Sequence, residues 1–118
     1  MAIIGNEIFI VCDNQITVFS LEGKQIRSWG GHGSELGNFS DPWGITIYRN
    51  VVFVVDSKNK RIQAFTNGGK FIFEYKHKTS LDMSDIIIDD NYVYINDWGN
   101  DQLYKFELIY DWIINNKK

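Results

Sequence analysis

One short pattern occurs three times in the chain. Residues 6–13 read NEIFIVCD, residues 50–56 read NVVFVVD and residues 91–97 read NYVYIND. Anchored on Asn6, Asn50 and Asn91, the copies stand 44 and 41 residues apart. Aromatics recur in step at Phe9, Phe53 and Tyr94, and aliphatics at Ile10, Val54 and Ile95. The match extends upstream through AIIG (2–5), ITIYR (45–49) and IIIDD (86–90). Downstream it runs through QITVF (15–19), RIQAF (61–65) and QLYKF (102–106). The first two copies continue as LEGKQIRSW (21–29) and NGGKFIFEY (67–75), where Gly23 and Gly69 mark tight turns. A repeat of this length constrains the fold more than composition does, because each unit must bury its faces against its neighbours.

Within each copy the apolar runs are short, rich in β-branched and aromatic residues, and separated by turn residues, which is a strand pattern. Ile62-Gln63-Ala64-Phe65 alternates with a period of 2, not 3.6. Each copy is therefore expected to form four strands, A to D. Tandem four-stranded units of about 40–45 residues are the pattern of β-propeller blades. The expected fold is all-β: one domain of three four-stranded antiparallel blades, at about 1–30, 43–76 and 84–116. LIYDWIINN (108–116) supplies strand D of the third blade; the alternative is a short amphipathic helix carrying Tyr110, Trp112 and Ile113-Ile114.

Residues 33–75 resemble an NHL repeat. That family has a Gly-rich linker, a Phe, Pro-x-Gly, strands A and B, Asp-x-x-Asn-x-Arg-Ile and a Gly-Lys turn. Here these are Gly37, Phe39, Pro42-Trp43-Gly44, Asp56, Asn59, Arg61-Ile62 and Gly69-Lys70. The first copy has CDNQI, two residues shorter between strands B and C, without the Asn and Arg. The third keeps Asp97 and Asn100 but has Gln102 at the Arg position, and its linker HKTSLDMSD (77–85) lacks Pro-x-Gly. WD-type propellers are the nearest alternative, but no Gly-His…Trp-Asp pair falls at the right places.

The motif residues are assigned structural work. Asp and Asn close turns through local hydrogen bonds, and Arg61 is expected to brace Asp56 across the B–C turn. Pro42 suits the mouth of a strand, where its fixed φ and missing N–H do least harm. Gly44 is expected to let the chain turn into strand A near the crowded axis, and Phe39 to plug the gap between blades. Cys12, the single cysteine, excludes an internal disulfide and is expected to pack as a small hydrophobe.

Candidate contact residues are fewer. Trp98, in the B–C turn of the third copy, and Trp43 have no obvious core position and suit a partner contact. His32 and His77 both lie in linkers between strand D and the next strand A. Asp41, Asp82, Asp85, Asp89 and Asp90 could add oxygen ligands of the kind calcium accepts. No HxH or CxxC spacing appears, nor any Ser-His-Asp order, P-loop or dinucleotide Gly motif. No metal, catalytic residue or cofactor is therefore assigned.

A net charge of −3 argues against a nucleic-acid surface, and Lys58-Lys60-Arg61 and Lys76-Lys78 are taken as solvated turn charges. No apolar run reaches membrane-spanning length, and MAIIGNEIFIV lacks a basic leader, so an intracellular, cytoplasmic protein with no membrane partner is expected.

Three blades do not close a ring, since propellers have about four or more. The chain is expected to be half of a six-bladed ring completed by a second copy, a fragment or diverged piece of a longer propeller, or covered by another protein. The function expected is a non-catalytic binding or scaffold module acting through loop faces. The alternatives are a metal-dependent lyase- or hydrolase-like propeller enzyme and a single-stranded RNA-binding NHL domain.

Overall fold

The computed structural model describes residues 1–76, 82–90 and 92–107. In it the repeat becomes three antiparallel sheets, each a simple meander. Blade 1 contains β1 (Ala2–Ile4), β2 (Glu7–Cys12), β3 (Gln15–Ser20) and β4 (Gln25–Gly30). Blade 2 contains β5 (Pro42–Tyr48), β6 (Val51–Asp56), β7 (Arg61–Thr66) and β8 (Phe71–Tyr75). Blade 3 contains β9 (Met83–Ile88), β10 (Tyr92–Asp97) and β11 (Gln102–Glu107). His77 and the stretch assigned to a fourth strand of blade 3, residues 108–116, lie outside the described residues.

Local sequence sets the turns. Asp13-Asn14 (φ 53° and 62°) and Arg49-Asn50 (φ 50° and 64°) form two-residue hairpin loops with both residues left-handed. That conformation matches the twist of the flanking strands and is one that Asn and Asp tolerate. Blade 2 uses a longer B–C turn, a 3-10 turn at Ser57–Asn59 closed by left-handed Lys60.

The alternation of β6 explains the stacking. Val52 and Val54 enter an apolar cluster with Phe9, Ile16, Val18, Phe39 and Phe65, between blades 1 and 2. Val51, Phe53 and Val55 enter a second cluster with Met83, Ile86, Val93 and Ile95, between blades 2 and 3. Every residue of β6 is buried. A strand covered on both faces reads as a continuous apolar run rather than an alternating one, which is why this copy is VVFVV. Phe39 is fully buried at the first joint, with its ring 5.7 Å from that of Phe65 and packed on Gly30.

Two expectations change. Cys12 is exposed, not packed. It points away from blade 2, on the face of β2 opposite Phe9 and Val11, which no blade among the described residues covers. Gly44 is required for close approach rather than for a turn. A Cβ there would lie 2.8 Å from the Cα of Asp85 and 2.8 Å from the Ser84 carbonyl oxygen. Strand β5 therefore abuts β9 backbone to backbone.

Candidate functional site

The repeat motif builds a clamp at the joint between blades 1 and 2. Asp56, fully buried, accepts hydrogen bonds from Ser40 N (2.7 Å), Asn59 Nδ2 (2.9 Å), Arg61 Nε (2.8 Å) and Gln63 Nε2 (3.2 Å). Arg61, only 3% exposed, donates further to the carbonyls of Glu35 and Asn38 and to Glu74. Gln63 accepts from Gly37 N and donates to the Asn38 carbonyl, while Asn59 donates to the Gly33 carbonyl. One carboxylate and three side chains thus fix the whole linker 33–40. A buried charge is tolerated only when paired and hydrogen-bonded in this way. Glu7, at the outer rim of the same joint, has its carboxyl pKa held low by hydrogen bonding to the Arg27 guanidinium (2.8 and 3.1 Å). Arg27 also donates across the joint to the Asn67 carbonyl. Partial burial pushes the Tyr75 hydroxyl pKa up.

In blade 3 a smaller version remains. Asp97 is fully buried and accepts from Asp82 N (3.1 Å) and Asn100 Nδ2 (2.8 Å). The linker end is thus still tied to the B–C turn without Pro-x-Gly. Gln102 is exposed and joins no clamp; its side chain accepts from the Tyr104 hydroxyl instead.

With linkers fixed to B–C turns, the side chains left over gather on the turn-bearing face. Trp43 from β5 and Trp98 from the B–C turn of blade 3 line one hollow of about 220 Å³. They are 58% and 64% exposed. Met83, fully buried, lies at its base, and Ser57, Lys58, Lys60, Asp41 and Asp82 complete the lining. Lys60 and Asp82 form an ion pair. The Lys58 ammonium and the Asp41 carboxylate have no ion-pair partner among the described residues. His32 lines a neighbouring hollow of about 250 Å³ with Asn14, Ser40, Asp41 and Lys58. The two hollows share Asp41 and Lys58, so His32, Trp43 and Trp98 stand along one continuous face.

The profile of the NHL repeat family matches residues 39–65, the span from Phe39 through Pro42-Trp43-Gly44 and the Asp56 clamp to Phe65. Residues 39–65 are therefore similar to an NHL repeat. The mouse peptidyl-glycine alpha-amidating monooxygenase is 37% identical over 73 residues, covering 56% of this chain and 8% of that protein. Among solved structures, BamB from Moraxella catarrhalis aligns over 91% of this chain and 30% of its own, with a TM-score of 0.68 at 11% identity. A streptogramin B lyase aligns over 86% of this chain and 37% of its own, with a TM-score of 0.62 at 19% identity. These propeller-like neighbours show the fold. The chain spans well under half of each of these three proteins.

The NHL motif residues Asp56, Asn59, Arg61, Asp97 and Asn100 all turn inward to turns and linkers, and Pro42 opens β5 opposite Asp56. Gly69, with φ 97°, shapes its turn and packs against the Trp29 ring. The contact candidates turn outward. The Lys58-Lys60-Arg61 cluster divides: Arg61 is buried, and the two lysines border the tryptophan hollow. Sequence reading missed Lys58, Lys60 and Met83 as site residues. The available signal was their place on the turn or linker that the motif fixes beside Trp43 and Trp98. Among the described residues no group of three or more His, Cys, Asp or Glu side chains is placed to hold a metal ion. No helix among them is long and apolar enough to cross a membrane.

Proposed function

We propose that the chain is a non-catalytic NHL-type propeller module, half of a six-bladed ring completed by a second copy. Its turn-bearing face binds a partner protein that seats an apolar side chain between Trp43 and Trp98. The observation carrying the binding reading is the convergence of two exposed tryptophans, from different blades, on one hollow. Buried tryptophan anchors surrounded by a polar rim are the common energetic centre of protein interfaces. The rim here holds two lysines and two aspartates, so it offers both signs of charge and no net field toward a polyanion. A peptide ligand also accords with the name of the mouse relative, which acts on a peptidyl-glycine substrate.

The binding reading is tested by panning a random peptide library against the protein and measuring the selected peptides by tryptophan fluorescence. Trp98→Ala and Trp43→Ala are each expected to weaken binding tenfold or more, with single-stranded RNA giving no saturable signal. Selected peptides that bind both variants as tightly as the parent would overturn it. A second reading is a metal-dependent propeller enzyme, and the name of the mouse relative accords with an activity on peptides. Stoichiometric metal in elemental analysis of the purified protein would favour that reading over the first.

A further inference from the structure

Among the described residues the three blades leave two faces without a neighbouring blade, and the repeat specifies what each is built to meet. On blade 1 the face pointing away from blade 2 carries Ile3, Ile8 and Phe19 as one cross-strand row, with Ile10 beside it. Aligned on the repeat, these positions are Ile47, Val52, Phe65 and Val54 of blade 2. All four of those belong to the cluster between blades 1 and 2, where Phe9, Ile16 and Val18 cover them. The open face of blade 1 thus has the same apolar set as an internal joint, and its strands carry no charged side chain on that side. Ile3 is left 58% exposed.

The opposite end is different in chemistry and complementary in hand. On blade 3, Tyr94 and Leu103 stand where Phe9 and Ile16 stand in blade 1, and Ile87 lies beside Tyr94 in the same cross-strand row. Leu103 is 68% exposed and Ile87 62%. Lys105 takes the place of Val18 and lies 3.8 Å over the Tyr92 ring. At the internal joint a cation on this same forward face, Arg27 over the Phe9 ring, reaches the C–D turn of the next blade at the Asn67 carbonyl. The repeat equivalent of that turn in blade 1 begins Leu21-Glu22, so Glu22 offers Lys105 an opposite charge.

Resting on the half-ring reading above, we propose that the Ile8–Ile10–Phe19 face of one copy seats head to tail on the Tyr94–Leu103 face of a second copy, with Lys105 of one beside Glu22 of the other. Both internal joints stack a forward face on a backward face in this sense, and two copies joined this way close through two identical contacts. Back-to-back pairing of the two apolar blade 1 faces would leave both Tyr94–Leu103 faces open.

The test uses the full chain with Cys12→Ser as background. Ile10→Cys and Leu103→Cys proteins are mixed and treated with a bismaleimide of about 10 Å span, the spacing of packed sheets. A covalent Ile10→Cys–Leu103→Cys pair is expected, with little product from Ile10→Cys alone. Lys105→Glu is expected to weaken association several-fold and Glu22→Lys to restore it. A dimer in which Ile10→Cys links mainly to itself overturns the head-to-tail pairing. A monomeric mass overturns the half-ring reading. The expected cross-link at a mass above the dimer keeps the pairing and overturns the two-copy ring.

Discussion

The joint between blades 1 and 2 and the joint between blades 2 and 3 solve one problem with different materials. Both bury a large apolar cluster. At the first, a long linker is fixed by a buried carboxylate holding four donors and by an arginine spread over two linker carbonyls. At the second, the arginine is absent and the strands approach more closely, with Gly44 against the backbone of Ser84 and Asp85. The Lys60–Asp82 ion pair and a hydrogen bond from Ser57 Oγ to the Met83 carbonyl add to it. A propeller joint thus needs its linker end tied to a B–C turn, and the full motif is one way of tying it. Where the tie is polar and buried it is the costlier to break. Where it is steric, the vulnerable residue is a glycine.

The difference can be broken by substitution, comparing unfolding midpoints in urea at one protein concentration. Asp56→Ala leaves buried Arg61 with Glu74 as its one carboxylate and removes the shared acceptor of Ser40 N, Asn59 and Gln63, and about 3–5 kcal/mol is expected. Asp97→Ala removes the acceptor for Asn100 and Asp82 N but strands no buried cation, and about 1.5–3 kcal/mol is expected. Equal losses would erase the distinction between the joints. Gly44→Ala forces a methyl against the β9 backbone, for about 1–3 kcal/mol of overpacking; no loss there would mean that the second joint does not depend on close approach. The smallest effect belongs to the rim of the first joint. The Glu7 carboxyl is held low by Arg27, so its contribution is present above the unfolded carboxylate pKa and is lost as pH falls through the lowered folded value. Glu7→Gln is expected to lower the neutral plateau slightly and to flatten the acid limb, the two proteins converging as pH falls through the lowered folded value.

Much of this was legible because the repeat period and the alternation of apolar residues both describe backbone geometry. VVFVVD announced a strand covered on both faces, and Gly-Lys turns announced the C–D hairpins. The reach of Arg61 beyond Asp56 to the linker carbonyls was not legible, since a sequence pattern names donors but not distant acceptors. Cys12 was misread for a related reason: its strand is apolar on both sides, and only the stacking order shows that one side has no blade. Trp43 and Trp98 were recognisable one at a time as surplus to the core. Their convergence depends on how blades 2 and 3 pack, which no local pattern contains.

On the half-ring proposal, three blades form a stable unit only together with a second copy. Sedimentation equilibrium at micromolar concentration measures this directly. A folded species of twice the 13.8 kDa chain mass is expected. A cooperatively folded 13.8 kDa monomer, with no second copy on its Ile8–Ile10–Phe19 face, would contradict it.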